Sequence, residues 1–339
     1  MEVPLSYVLP LKADAPAVEL DGYLGSLAGA VEVIVVDGSP PDVFAANAQR
    51  WCPLGLVHVP VDDALVTPMG KVGGVLTGVH RASREVVVIA DDDVRWTIDQ
   101  LREAAGRMAG GAAVLRPQNH FDPLPWHARW DTGRILLARA TGGDWPGTLV
   151  VDRDALIRAG GYDGSALFEN LELVRTLEAA GGRSVLALDL LVTRLPPTAQ
   201  HFWSQRVRQA YDEWARPGRL AIELSLLPLV AVGRLRAVAA LSAVAIGVAE
   251  VGRRRAGGKS AFPATASLWA PAWVAERAVT SWLALGSRLL GGARYGAGRL
   301  PRAANRPAEL RRSVPARVRD DDRPAATNVL QPTGAAPAR

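Results

Sequence analysis

The stretch Arg84 to Trp96, REVVVIADDDVRW, constrains this chain most, because an apolar run stops abruptly at three consecutive carboxylates. Glu85 to Ala90 is short, bounded by polar residues and rich in valine and isoleucine. That pattern predicts a strand buried on both faces of a sheet. Asp91, Asp92 and Asp93 then fall at its carboxyl end, where open α/β sheets place their ligands. In an extended chain residues i and i+2 share a face, so Asp91 and Asp93 point together and Asp92 points away. Two carboxylates this close repel unless a cation joins them, and hard oxygen ligands suit Mg²⁺ or Mn²⁺ carrying a diphosphate. A solvated acidic turn that merely ends a strand is the alternative.

The same rhythm recurs along the first 195 residues. SYVLPL, VEVIVVD, GLVHVP, EVVVIAD, AAVLRP, GTLVVD and SVLALD are strand-like runs, mostly separated by stretches long enough for crossover helices. This alternation predicts an α/β fold with a mainly parallel sheet sandwiched by helices. Val31 to Asp37 also ends in an acid, so two acidic strand ends outline one polar edge.

Half of the 339 residues are apolar, enough for a sizeable core and far from a disordered composition. A single cysteine, Cys52, excludes an intramolecular disulfide framework and fits a reducing compartment. No basic start followed by an apolar segment and a cleavage site opens the chain, which argues against export by that route. The net charge of +5 is uneven: residues 1–251 hold 23 basic and 29 acidic residues, whereas 252–302 hold 9 and 1. A basic block beside apolar segments points to anionic lipid and not to nucleic acid, since no zinc spacing or nucleic-acid signature accompanies it.

Beyond Pro196 and Pro197 the character changes. Thr198 to Trp214 has the pattern of a polar helix; Leu220 to Gly233 and Ala237 to Val251 are apolar runs separated by Arg234 and Arg236. Each is shorter than the roughly 20 residues of a straight transmembrane helix. A short hairpin, an interrupted span, a re-entrant pair or a buried core helix all remain open. Leu268 to Leu290 carries three tryptophans among charged residues, as in an amphipathic interfacial helix. Residues 1–216 are expected to form the catalytic domain, 217–300 a membrane-associated helical region, and 301–339 a disordered tail rich in proline, alanine and arginine.

Over residues 3–215 the chain resembles the family-2 glycosyltransferases, particularly bacterial membrane-associated members akin to ceramide glucosyltransferases. The likeness rests on YVLPLKAD, VIVVDGSP, MGKVGGVLTGVHRA, IADDDV, GGDWPGTLVVDRDAL, GGYDGSALFENLEL and QRVRQAY, in that order. It implies the GT-A, Rossmann-like version of the fold. It also implies a nucleotide-sugar donor, a divalent Mg²⁺ or Mn²⁺ held by Asp91 and Asp93, and transfer to a lipid or glycan hydroxyl. Donor contacts would come from Pro10, Lys12 and Asp14 after the first strand, and from Asp37, Lys71, Asp92 and Arg208. Without the resemblance Lys71 is a helix-face lysine, and Asp37 equally starts a turn with Gly38 and Ser39. Trp145, Asn170 and Gln205 fall on the acceptor side.

Two departures matter. The family commonly pairs Glu with Asp at the start of an acceptor-side helix, but this chain has Glu169 and Asn170, and an amide cannot take a proton. Glu169 and Glu172 lie three residues apart on one helix face, so either carboxylate could be the base, and Glu169 is the first choice. In place of the family's QxxRW this chain reads QRVRQ: Gln205 and Arg208 match, Gln209 replaces tryptophan, and processive synthesis is disfavoured. His201 is the candidate third metal ligand. The implied reaction is an inverting single displacement at the cytoplasmic face of a cell membrane. A non-catalytic nucleotide-binding membrane scaffold is the main rival. A sugar nucleotidyltransferase is the weaker one, since YVLPLKADAP lacks a glycine-rich phosphate loop.

Overall fold

A computed structural model describes residues 2–296 and 298–321. The chain runs β1 (Leu5–Leu11), α1 (Asp21–Leu27), β2 (Glu32–Asp37), α2 (Pro41–Trp51), β3 (Val57–Val59), α3 (Gly70–Arg81), β4 (Val86–Ala90) and β5 (Val94–Arg95). It continues through α4 (Ile98–Met108), β6 (Val114–Phe121), α5 (Trp126–Thr141), β7 (Thr148–Asp152), α6 (Arg153–Arg158), α7 (Glu169–Ala179) and β8 (Ser184–Arg194). These strands form one eight-stranded sheet in the order β3-β2-β1-β4-β7-β6-β8-β5. Pairings are parallel from β3 through β4 and between β6 and β8, while β7 runs antiparallel to β4 and β6. The two-residue strand β5, which sequence pattern did not announce, pairs antiparallel with β8 directly after the acidic triplet.

Both faces of the sheet are buried, as the continuous apolar runs require. Val8, Ile34, Val36, Val87 and Ile89 pack on one side against α3, α6 and α7. Their alternating neighbours Tyr7, Leu9, Val35, Val88 and Ala90 pack on the other side with α1 and α4. Helix α3 lies unusually close to β1: a Cβ on Gly78 would stand 2.3 Å from Val8 Cγ1, and one on Gly74 2.9 Å from Pro10 Cβ. The glycines let this helix carry Lys71, in its first turn, up to the sheet's carboxyl edge.

After the sheet come α8 (Ala199–Ser204), α9 (Arg206–Tyr211), α10 (Pro217–Arg254), α11 (Ala270–Leu289), the hairpin β9 (Ala293–Tyr295) and β10 (Gly298–Leu300), and α12 (Pro307–Asp321). Helix α10 reverses at Arg234, whose backbone has φ 49° and ψ −136°. The contacts of its ends show the reversal. Arg219 lies over the Trp273 ring and Glu223 accepts from Ser281, while Glu250 accepts from Ser267. Residues 31 apart thus meet the same end of α11, where a straight helix would separate them by about 46 Å. The hairpin's base packs on α5 through Ala245 and Ala249. Its apex stands free, with Val232 86% and Leu235 84% exposed. Of the four arrangements open from sequence, a buried core helix is therefore ruled out.

Helix α11 departs from the amphipathic expectation. Arg277 is buried and Glu276 ion-pairs with Arg206, which is itself held by Asp131; Val279, Trp282, Leu283 and Leu289 face outward instead. Glu276 turns inward to Arg206 and Arg277 lies 3.9 Å from Glu223, with Arg277 Nε and Nη1 left without hydrogen-bond partners. The expected tail also begins later than residue 301. Leu167 and Phe168 donate to the carbonyls of Arg302 and Ala303, and Leu310 and Val314 of α12 are buried beside Ala159. The remainder of that expected tail, 322–339, lies outside the described residues.

Candidate active site

A cleft of about 900 Å³ opens at the carboxyl edge of the sheet. The sheet delivers Asp91 through a hydrogen bond from its amide to the Gly147 carbonyl at 2.8 Å. Gly147 lets the backbone pass close under both side chains, since a Cβ there would lie 2.6 Å from Asp91 Oδ2 and 3.0 Å from the Arg194 guanidinium. The Gly147 amide in turn donates to Asn119 Oδ1 at 2.8 Å. The GGDWPG segment thus fixes the floor of the site.

Two cations hold the acidic strand end. Lys71 Nζ lies 2.6 Å from Asp91 Oδ1 and 2.7 Å from Glu169 Oε1, bridging α3, β4 and α7. Arg194, the last residue of β8, donates from Nε to Asp93 Oδ2 at 2.9 Å and from Nη2 to Asp91 Oδ2 at 3.4 Å. Burial would raise the Asp91 carboxyl, but Lys71 and then Arg194 bring it below the usual range. Asp93 is held above that range by burial and by Asp91, with Arg194 offsetting only part. Its Oδ1 is buried without a partner. Asp92 is likewise raised by burial and by the charges of Asp93 and Asp91. Burial would lower the Lys71 ammonium, but Asp91 and Glu169 hold it well above an ordinary lysine.

Most of the expected residues converge here. Pro10, Lys12, Lys71, Asp91, Asp92, Asp93, Glu169, His201 and Arg208 all line the cleft. Gln205 accepts from Arg208 Nη1 at 2.9 Å and so aims that guanidinium without lining the cleft itself. Trp145 stacks edge-on against Phe168 under the Arg116 guanidinium, and Asn170 donates to the Pro146 carbonyl at 2.8 Å. Both secure the GGDWPG loop. Tyr295 and Arg299 of the β9–β10 hairpin close the far wall, so the C-terminal region is part of the site.

Three expected residues lie elsewhere. Asp14 is exposed outside the cleft. Asp37 is 2% exposed and spends both oxygens internally, accepting from the Ser39 amide and Asn47 at 2.9 Å and contacting His58 at 3.1 Å. Burial alone would raise it, but the bonds from His58, Ser39 and Asn47 bring its carboxyl down to about 2. It builds the β2–α2 turn. Glu172 is fully buried on the turn of α7 that faces residue 305, accepting from the Asn305 amide and side chain, both at 2.7 Å. It clamps the returning chain and does not reach the cleft.

The expected three-ligand metal shell is not assembled. Among the described residues no three His, Cys, Asp or Glu side chains come together as a metal group, His201 included. Asp91 and Asp93 by themselves fit a hard divalent ion, which is often held by one or two carboxylates plus substrate phosphates. The unpartnered Asp93 Oδ1 is the free oxygen such an ion needs.

Sequence reasoning missed Arg194, Gly147, Asn119 and Asp212. Asp212, half-buried with its Oδ1 enclosed and unpartnered, is pushed up to about 7 by desolvation first, with Glu169 and Glu213 adding and Arg208 opposing. Arg194 had one signal, a basic residue ending the strand that runs into a Pro-Pro pair.

An acidic strand end, flanked by lysine and arginine at the carboxyl edge of an α/β sheet, has the charge and the position to take a metal-bound or phosphorylated ligand. Residues 20–149 match the family described as Glycosyl transferase family 2, a span from just before α1 into β7 that contains the acidic triplet. That match spans 130 of the 339 residues and is a likeness of this part of the chain to the family. The narrower likeness to ceramide glucosyltransferases is not carried by it. No curated protein matches the chain. Among solved structures, it is similar to a mannosyltransferase from Pyrobaculum calidifontis in complex with GDP-Man and Mn²⁺, at 18% identity, TM-score 0.47, covering 83% of this chain and 88% of that one. It is also similar to glucosyl-3-phosphoglycerate synthase of Mycobacterium tuberculosis, at 20% identity, TM-score 0.40, covering 59% and 75%. Likenesses this distant carry no inference about donor or acceptor.

Proposed function

We propose that this protein is a glycosyltransferase that moves a hexose from a nucleotide-sugar diphosphate to a hydroxyl of a lipid or glycan acceptor, with inversion, on a membrane surface. The observation that carries the reading is one cleft holding Asp91 and Asp93, the cations Lys71 and Arg208, and the carboxylate Glu169. Asp91 and Asp93 would hold a divalent Mg²⁺ or Mn²⁺. When bound, that ion supplies positive charge to the departing diphosphate. Lys71 and Arg208 add to that charge, and the amino end of α3 at Gly70 favours an anion as helix N-termini do.

Glu169 is the base. It is 8% exposed, sits on α7 across from the acidic strand end, and shares the Lys71 ammonium with Asp91. A carboxylate there takes the acceptor proton once the acceptor oxygen lies about 2.6–3.2 Å away. Single displacement puts that oxygen on the face of the sugar opposite the diphosphate, hence inversion.

The membrane assignment rests on exposed apolar groups of α10, α11, α5 and α8. The α10 apex projects past the end of its packing on α5, and the outward face of α11 presents Val279, Trp282 and Leu283. Trp126 and Trp203, 44% and 51% exposed and 6.1 Å apart, lie on α5 and on the helix that carries His201 to the cleft. Tryptophans at this density suit a membrane–water interface. The most apolar window of α10 has mean hydropathy 1.8, but the reversal at Arg234 leaves two apolar arms, 220–233 and 237–251, each shorter than the roughly 20 residues of a straight span, so the hairpin enters the membrane without crossing it as one helix.

A binding panel of UDP-, GDP- and dTDP-sugars, with and without Mn²⁺, tests the donor reading. One of them should bind in a metal-dependent manner; binding of none would overturn it.

A further inference from the structure

Arg194 performs, in this structure, the task expected of a metal ion. Sheet pairing sets its place: Val94 and Arg194 are register partners in the β5–β8 ladder, and the Leu195 amide donates to the Asp93 carbonyl at 2.7 Å. The guanidinium therefore lies directly beneath the acidic triplet, where its fork joins Asp93 Oδ2 at 2.9 Å to Asp91 Oδ2 at 3.4 Å. Gly147, lacking a side chain, makes the room the guanidinium occupies, since a Cβ there would stand 3.0 Å from it. Lys71 also reaches Asp91, at 2.6 Å, whereas Arg194 is the cation on Asp93, whose Oδ1 stays without a partner.

We infer that Arg194 is the resting counter-ion of the Asp91–Asp93 pair and passes to the donor diphosphate when a divalent ion takes those carboxylates. This rests on the metal reading above. Two of the guanidinium's five donors bind carboxylate here, and the same planar fork matches phosphate oxygens equally well. A metal ion arriving alone must displace the arginine and leave it beside another cation. A metal ion arriving with a diphosphate gives the arginine a new anionic partner. Metal and donor binding are thereby coupled, with Arg194 as the positioning residue that couples them.

The test is Mn²⁺ binding without any donor, read from the electron paramagnetic resonance of free Mn²⁺, for the wild type, Arg194→Gln and Arg194→Lys. Arg194→Gln should bind Mn²⁺ alone about tenfold more tightly, because the competing cation is gone, and Arg194→Lys should stay near the wild type. Calorimetry with the Mn²⁺–pyrophosphate complex as probe should show the reverse order, with Arg194→Gln weakened. A gain in metal affinity is not produced by a damaged fold, so a merely structural arginine would not give it. Equal or weaker Mn²⁺ binding by Arg194→Gln, beside measurable binding by the wild type, overturns the exchange and leaves the metal reading standing. No Mn²⁺ binding by any of the three proteins overturns both.

Discussion

Replacing Lys71 by methionine removes the cation that joins Asp91, just after β4, to Glu169 on α7, at 2.6 and 2.7 Å. The three side chains are 20%, 22% and 10% exposed, between the surface and the buried regimes. Exposed pairs contribute about 0–1 kcal/mol, and breaking a buried pair costs about 3–5 kcal/mol. A destabilisation of about 2–3 kcal/mol at pH 7 follows, because Asp91 and Glu169 then face each other with no ammonium between them. The pH dependence has a definite sign. Asp91's carboxyl is lowered in the folded protein, so the stability it contributes is present above its ordinary pKa and fades as pH falls through the folded value. The cost of Lys71→Met should therefore shrink in acid and stay level from pH 6 to 9. Urea unfolding of wild type, Lys71→Met, Glu169→Gln and the double variant measures it. The cycle should give a coupling of about 1–3 kcal/mol between Lys71 and Glu169. A coupling below about 0.5 kcal/mol would refute the reasoning, since the lysine would then not be held between the two carboxylates.

Other consequences divide the site from its supports. Glu169→Gln should lower turnover by about 10²- to 10⁴-fold with donor affinity little changed, whereas Glu172→Gln should instead cost about 1–3 kcal/mol of stability through Asn305; steady-state kinetics and urea melts together tell them apart. Asp37, held down to about 2, contributes stability above about pH 4 that is lost as pH falls towards 2, so Asp37→Asn should be destabilised by about 2 kcal/mol at pH 7 and hardly at all near pH 2 in thermal melts. The full chain should remain with membranes in high salt and leave them in detergent, because apolar burial is not screened as headgroup attraction is; a truncated chain ending at Arg219 should be released. Full-length protein that is soluble and monomeric without detergent would remove the support for a lipid acceptor.

The sheet was legible because both-face burial writes itself as unbroken valine and isoleucine, and each such run became a strand. Asp91 and Asp93 were legible because nothing apolar tolerates three adjacent carboxylates without a cation. What sequence could not convey is partnership across long separations. Asp37 and Asp91 look alike as acidic strand ends, yet Asn47 and His58 enclose the first, while Lys71 and Arg194 flank the second in the cleft. Glu169 and Glu172 share a helix face, and only the return of Asn305 decides which is occupied. The polar residues of α11 looked like a solvated stripe because their partners, Arg206 and Glu223, lie more than 50 residues away.

The most direct measurement is donor binding by Asp91→Ala, Asp92→Ala and Asp93→Ala, titrated with the sugar nucleotide that the wild type binds, with and without Mn²⁺. Asp91→Ala and Asp93→Ala should each abolish the metal-dependent part of binding, and Asp92→Ala should retain most of it. Small, equal losses in all three would contradict a shared metal–diphosphate site and leave the triplet an ordinary acidic turn held by Lys71 and Arg194.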